Sequence, residues 1–220
     1  MTLKIFQWNC HSLYQRLSHF KLKLYSLKPH IACLCETWIK ENYLPKFINY
    51  SSFFLNRSCQ IGGGLAMLVR NDVCVKEKNL ILFPNGKLEV QAVQIIGSEF
   101  NLDVLNLYNP CVTITEAEFL HYFNQLSEKF ILIGDFNAHS PLWDSHISQN
   151  ATGKDLTECL ISLPQICLLT PHNLPTHYHV PTRQSSTLDL TFLSSNLFPR
   201  STLELLDDDM GSDHTPIITE

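Results

Sequence analysis

Two short apolar runs, each delivering a carboxylate at its end, constrain the fold of this chain more than any other feature. IACLC spans 31 to 35 between Pro29 and Glu36, and FILIG spans 130 to 134 just before Asp135. Runs this short and this apolar suit strands buried in a core. A carboxylate at the end of such a strand needs a partner. Each acid is therefore either half of a salt bridge or a functional group.

The remaining sequence arranges itself around those two strands. LKIFQWN (3 to 9) reads as a first strand. Ser12 and Gln15 have capping-box spacing ahead of Leu13, Leu17, Phe20, Leu24 and Leu27, which predicts a helix stopped by Pro29. GLAMLVR (64 to 70), EVQAVQII (89 to 96) and NLDVLNLY (101 to 108) are β-rich runs separated by Gly, Asn and Asp turns, several of them antiparallel neighbours. Thr115 and Glu118 form a second capping box, opening a helix with Phe119, Tyr122, Phe123 and Leu126 on its apolar face. A third helix covers Lys154 to Ser162. QICLL, TLDLTFL, STLELL and HTPIIT complete the strands, around a Pro- and His-rich loop from Pro171 to Arg183. Strands outnumber helices roughly eleven to three, which favours two sheets packed face to face with helices outside, a layered α/β sandwich.

With 220 residues and 45% hydrophobic composition, the chain can bury one sizeable core, so 1–220 is read as a single domain without linker or repeat. No stretch reaches the ~18 apolar residues of a membrane span, and the start, MTLKIFQWNC, lacks the build of a signal peptide. The eight cysteines, at 10, 33, 35, 59, 74, 111, 159 and 167, mostly sit inside apolar runs and read as reduced core thiols. Cys33 and Cys35 point the same way on a strand, but no second pair completes zinc-ligand spacing. The net charge of −5 argues against a generic basic nucleic-acid coat. A carboxylate-rich cation site is itself acidic when empty, which recovers part of that deficit.

Polar groups fall where the buried strands end: Asn9, Glu36, Tyr108, Asp135, Asn137, Asp189, Asp213 and His214. Singly, each has a plain explanation. Asn9 is a turn or cap residue, Tyr108 a strand aromatic, Glu36 and Asp189 halves of ion pairs, and Gly134-Asp135-Phe136-Asn137 an Asx turn. As a set they suggest chemistry. Gly134 permits a tight exit from its strand, and Asp135 and Asn137, two apart, face one side. Asp213-His214, next to a terminal strand, offers a metal-facing carboxylate and a titrating base. His139, Trp143 and Asp144 either line the same site or belong to a solvated loop.

In this order the motifs WN, LCET with Glu36, NLYNP with Tyr108, GDFN, TLDL and GSDHTPI resemble those of the endonuclease/exonuclease/phosphatase superfamily. The similarity runs from Trp8 to Ile217. FNAHSPLWDS, NATGKDLTECL and LTPHNLPTHYHVPTRQSSTLDLTF are further similar to the apurinic-type endonuclease domain of LINE-like, jockey-like non-LTR retrotransposons. The resemblance implies a four-layer sandwich of two mainly antiparallel sheets. It also implies a divalent metal, Mg²⁺ with Mn²⁺ as the alternative, and hydrolysis of one DNA strand to leave a 3′-hydroxyl. Carried over, Glu36 binds the metal with Asn9 beside it, and Asp213 lies near it or a second ion. Asp135 orients or deprotonates the attacking water, and Asn137 and Tyr108 donate to the phosphate. His214, oriented by Asp189, binds phosphate or shuttles a proton.

Where abasic-site repair members carry an acid two residues after the first Asn, this chain has His11, which argues against dedicated repair. The resemblance also implies a reverse transcriptase region in the parent element, outside this chain. The chain then reads as a fragment of a longer polyprotein that leans on other parts for its grip on DNA, with a nuclear location following from the substrate alone. The rival readings are a superfamily phosphatase or phosphodiesterase acting on a small or lipid phosphate ester, and a catalytically decayed domain.

Overall fold

The computed structural model describes residues 2–40, 42–57, 62–98 and 100–220. The elements run β1 (Ile5–Asn9), α1 (Leu13–Leu27), β2 (Ile31–Cys35), β3 (Tyr50–Leu55), β4 (Leu65–Arg70), β5 (Val75–Glu77), β6 (Glu89–Ile96) and β7 (Asn101–Tyr108). There follow α2 (Glu116–Phe123), β8 (Phe130–Asp135), α3 (Ala151–Ser162), β9 (Ile166–Leu168), β10 (His177–His179), β11 (Gln184–Ser186), β12 (Asp189–Ser194), β13 (Leu203–Leu205) and β14 (Ile217–Thr219).

Two six-stranded sheets result, ordered β13-β14-β1-β2-β4-β3 and β5-β6-β7-β8-β12-β9, with β10-β11 a separate hairpin. Each large sheet holds one parallel pair, β1–β2 and β7–β8, among antiparallel ones. A parallel neighbour needs a crossover connection, and α1 and α2 supply the two. The mainly antiparallel two-sheet sandwich expected from the sequence is the fold observed.

Side chains alternate across each strand, and this sorts the core into layers. Phe6, Trp8, Ala32 and Leu34 face outward onto Phe20 and Leu24 of α1. Leu105, Leu107, Leu132 and Phe192 face the other way, onto Phe119 and Tyr122 of α2 and Leu156 of α3. Between the sheets Ile5, Ile31, Cys33 and Met67 meet Val104, Ile131, Ile133 and Leu193. Helix, sheet, sheet and helices therefore make four layers.

The inner layer changes character along its length. By the same alternation Ile5 is followed inward by Gln7 and Asn9, Val104 by Asn106 and Tyr108, Ile133 by Asp135, and Leu193 by Thr191 and Asp189. All of these are buried. One end of the inter-sheet space is sealed by aliphatic packing and the other is lined by polar groups.

Several local expectations need correction. Ser12 does not cap α1: it has φ +80° and no side-chain bond to the helix. Two of the first helix-end N–H groups go instead to carbonyls beyond β2, Ser12 to Glu36 and Leu13 to Thr37. The second capping box is half formed. Thr115 Oγ1 accepts from the Glu118 N–H at 3.3 Å, but Glu118 Oε1 accepts from Lys87 N and Leu88 N instead. The Pro- and His-rich loop carries β10 and leads directly into its hairpin partner β11, and the edge strand β3 and short β5 lay outside the sequence pattern. Of the cysteines, 10, 33, 35 and 159 are buried free thiols, 167 is half-buried, 74 and 111 are exposed, and Cys59 lies outside the described residues.

Candidate active site

Strand register assembles the polar end. Tyr108 pairs with Asp135 across β7–β8, and Asp135 pairs with Asp189 across β8–β12, so three neighbouring strands present these residues in one row. On the opposite sheet Asn9 pairs with Cys35, which places Glu36 one residue past the strand end. His214 enters from the segment leading into β14, held by its N–H on Ser212 Oγ at 3.2 Å and its carbonyl on Trp8 Nε1 at 3.1 Å.

The side chains then interlock. Asn9 Nδ2 donates to both Glu36 Oε1 and Asp135 Oδ2 at 2.9 Å, bridging the sheets. Asp135 Oδ1 accepts from the Asn137 N–H at 3.0 Å, and its Oδ2 from Asn137 Nδ2 at 3.1 Å. Asn137 Nδ2 also reaches the Asn109 carbonyl at 2.8 Å. His214 Nδ1 lies 2.7 Å from Asp189 Oδ2, and its Nε2 is 3.9 Å from Asp135 Oδ2. Gln7 Nε2 holds the remaining Asp189 oxygen at 2.6 Å.

Local backbone conformation serves this arrangement. Glu36 (φ +51°) and Asn137 (φ +45°) adopt left-handed conformations immediately after their strands, the kind of local strain that clusters at working sites. Gly134 sits at φ +151°, and a Cβ there would lie 1.9 Å from the Leu107 carbonyl oxygen. Only glycine lets β8 run this close beside β7 while turning out Asp135.

Burial and neighbouring charge set the proton affinities. Burial raises Asp135 well above the usual carboxylate range, opposed by His214 and reinforced by Asp189. Burial would lower His214, but Asp189, then Asp135 and Asp213, outweigh it and hold the imidazole protonated. Burial also pushes up the Tyr108 hydroxyl, with the Glu36 and Asp135 carboxylates adding to the effect.

Of the residues marked from sequence, Asn9, Glu36, Tyr108, Asp135, Asn137, Asp189 and His214 converge. Asp213 is adjacent but differently engaged, with Oδ1 3.2 Å from His11 Nδ1 and Oδ2 3.8 Å from His177 Nε2. The His177 contact, partly opposed by burial, holds the Asp213 carboxyl well below its ordinary range. His139 lines the same cleft of about 520 Å³ as Glu36, Asp135 and His214. Trp143 and Asp144 are neither solvated nor at the site. Trp143 Nε1 donates to the Ala138 carbonyl, and Asp144 Oδ2 accepts from the Thr187 N–H, pinning the loop to the start of β12. Gln7, His11, Asn109 and His177 were missed. Gln7 left a trace as a polar residue within the apolar run of β1, His11 as the residue two after Asn9, Asn109 within NLYNP and His177 within the Pro- and His-rich loop.

A two-sheet α/β sandwich with clustered Asn, Glu, Asp and His at the open end of its inner layer has the groups a hydrolase of phosphodiester bonds needs, and family membership assigns it that class. The model of the endonuclease-reverse transcriptase family matches residues 102–218. The chain belongs to that family. It is similar to a probable RNA-directed DNA polymerase from transposon BS of Drosophila melanogaster, at 25% identity over 98% of this chain and 24% of that protein. The chain thus spans about a quarter of that relative's length. Among solved structures it resembles the endonuclease domain of TRAS1, a telomere-specific non-LTR retrotransposon (TM-score 0.77, 21% identity, 98% and 96% of the two chains). It also resembles an AP endonuclease from Archaeoglobus fulgidus (TM-score 0.73, 15% identity, 100% and 99%). No helix among the described residues is long and apolar enough to cross a membrane.

Family membership implies a divalent metal, and the donor chemistry suits a hard one. The cleft gathers carboxylates from Glu36, Asp135 and Asp213 with no lysine or arginine among its lining residues. Glu36 commits Oε1 to Asn9, whose own Oδ1 accepts from the His11 N–H. No group of three or more His, Cys, Asp or Glu among the described residues encloses an ion. Mg²⁺ fits such a site, because it usually keeps several waters and takes one or two carboxylates plus substrate phosphate.

Proposed function

We propose that this chain is a Mg²⁺-dependent DNA endonuclease domain that nicks one strand of target DNA for retrotransposition, within a longer polyprotein that also carries a reverse transcriptase region. The observation that carries the reading is the hydrogen-bonded array Asn9–Asp135 with His214–Asp189 across two sheets, beside the half-buried Glu36 carboxylate. Glu36 would hold the cation, with Asn9 fixing its carboxylate and Asp213 contributing negative charge nearby. A bound Mg²⁺ polarises a phosphoryl oxygen and offsets the charge that builds on it.

This chain's own residues do the rest. Asn9 and Asn137 hold Asp135 Oδ2, which orients a water and accepts its proton as the water oxygen attacks phosphorus. The raised proton affinity of Asp135 brings it nearer to working pH than an ordinary carboxylate. The Tyr108 hydroxyl and His214 Nε2 donate to the phosphoryl oxygens, and Asn137 Nδ2 joins them by releasing one of its two present acceptors, Asp135 Oδ2 or the Asn109 carbonyl. The P–O3′ bond breaks, and O3′ takes up a proton to leave a 3′-hydroxyl. DNA as substrate is supported by the likeness to the TRAS1 domain and the AP endonuclease, and a chromosomal DNA substrate would put the site of action in the nucleus.

The test is incubation of purified protein with supercoiled plasmid, in Mg²⁺ and in EDTA, alongside Asp135→Ala and an inositol phosphate substrate. Metal-dependent conversion to open circles, absent in the variant, is expected. Turnover of the small ester without nicking would replace this reading with the phosphatase one, and inactivity of folded protein on both would mark a decayed domain.

A further inference from the structure

We propose that Gln7 is a positioning residue for the Asp189–His214 pair, fixing the Asp189 carboxylate so that the His214 imidazole stays aimed at Asp135. The inference rests on the reading of His214 as a participant in phosphodiester hydrolysis.

Gln7 is fully buried in β1, on the inward face between Ile5 and Asn9. Its Nε2 donates to Asp189 Oδ1 at 2.6 Å, while Asp189 Oδ2 accepts from His214 Nδ1 at 2.7 Å. The carboxylate is thus divided between a donor from the opposite sheet and the imidazole it orients. The torsion that turns a carboxylate is broad and weakly restrained. A single donor leaves the plane free to swing, and a second donor on the other oxygen stops it.

The main chain of His214 is held independently by Trp8 and Ser212. Those contacts do not orient the ring, which packs against the His177 ring with centroids 4.6 Å apart. Among the described residues its Nδ1 bonds only to Asp189. The orientation of Nε2 toward Asp135 therefore depends on Asp189, and the orientation of Asp189 depends on Gln7.

Stability does not account for a glutamine at this position. Its Oε1 is buried and has no hydrogen-bond partner among the described residues. An unpaired buried acceptor is destabilising, and an apolar side chain would fill the same space without that penalty. The amide is explained by what its N–H donates to.

The test uses the full chain with Gln7→Met, which keeps length and volume but removes the donor. Gln7→Thr, suited to a strand but too short to reach Asp189, is the second variant should the first fold poorly. In wild type a low-field proton resonance from the His214 ring N–H, identified by its loss in His214→Gln, reports the bond to Asp189. In the variants that resonance should move upfield or exchange away. Nicking at saturating plasmid should fall about ten- to a hundredfold, the usual effect of removing an outer partner of a working group, with KM within about twofold. An unchanged resonance, or a loss confined to KM, overturns the proposal. If wild type fails to nick at all, the reading as a DNA endonuclease falls, and the resonance comparison still decides what Gln7 does.

Discussion

Replacing Asp189 by asparagine tests the coupling on which the proposed chemistry depends, with almost no change of shape. In wild type one carboxylate oxygen accepts from Gln7 Nε2 at 2.6 Å and the other from His214 Nδ1 at 2.7 Å. Asparagine offers one acceptor and one NH₂ group to two donors. Whichever way its amide turns, one N–H faces another. If the oxygen goes to Gln7, the imidazole loses its acceptor and must rotate or shed its Nδ1 proton.

A hydrogen bond to a charged group contributes about 1.5–3 kcal/mol. Full expression of that loss in the transition state lowers the rate roughly ten- to a hundred-and-fifty-fold. Part of the proton affinity of His214 goes as well, since Asp189 is the strongest of the charges that offset its burial. The assay is single-turnover nicking of supercoiled plasmid at saturating protein, with a thermal melt on the same preparation. Because neither Asp189 nor His214 is among the residues proposed to hold the metal, added Mg²⁺ should not restore the rate. A rate within about threefold of wild type, or recovery at high Mg²⁺, would refute the coupling.

Three further outcomes follow from other parts of the molecule. Gly134→Ala should cost about 3 kcal/mol of stability in urea titration, because the new Cβ meets a backbone oxygen at 1.9 Å with φ at +151°; a cost under about 1 kcal/mol would mean that β7 and β8 can part cheaply. Buried Asp103 is held below the ordinary carboxylate range: burial would raise it, but Lys78 at 2.8 Å, the Ser127 N–H and Gln94 outweigh that. Its stabilisation is present above the unfolded carboxylate value of about 3.9 and is lost as pH falls through the lowered native value. Lys78→Met should therefore cost about 1.5–3 kcal/mol at neutral pH, with the gap to wild type closing in acid; a gap independent of pH would show that Lys78 acts by packing alone. Glu36→Gln should weaken Mn²⁺ or Mg²⁺ binding in calorimetry at least about tenfold and leave the melt unchanged, and undiminished affinity would remove Glu36 from the metal site.

Where packing alone fixed a segment, its sequence was sufficient to read it. IACLC and FILIG are too short and too apolar to be anything but buried strands, and the acids after them had to emerge at strand ends. Gly97-Ser98 separates two eight-residue runs that became β6 and β7 as expected. The failures arose where a distant partner decided the outcome. Ser12 has the composition of a cap, yet carbonyls beyond β2 were already in place to take the N–H groups. The β10-β11 hairpin carries little apolar alternation, and is held where Tyr178 N meets the Asp213 carbonyl and Thr215 N the Thr176 carbonyl. Gln7 was hidden for the same reason, since its partner lies 182 residues along the chain.

The polar half of the inner layer also reconciles an acidic chain with the polyanionic substrate proposed for it. A sandwich core is stabilised by apolar burial, and seven inward positions here forgo it: Gln7, Asn9, Asn106, Tyr108, Asp135, Asp189 and Thr191 are all buried. Their hydrogen bonds mostly satisfy one another, but their charges do not cancel. The carboxylates of Glu36, Asp135 and Asp189 face one protonated imidazole, with Asp135 drawn part-way toward its neutral form by burial, and Asp213 is already shared between His11 and His177. A phosphodiester entering that cleft adds negative charge to a negative surplus in a poorly screened space. A cation carried in with the phosphate, or held by Glu36 as proposed, would reverse the sign of the encounter. The proposed metal dependence is then what the charge balance of the site calls for, and a net charge of −5 over the chain would bear on how firmly the proposed DNA substrate is gripped, separately from whether its backbone is cut.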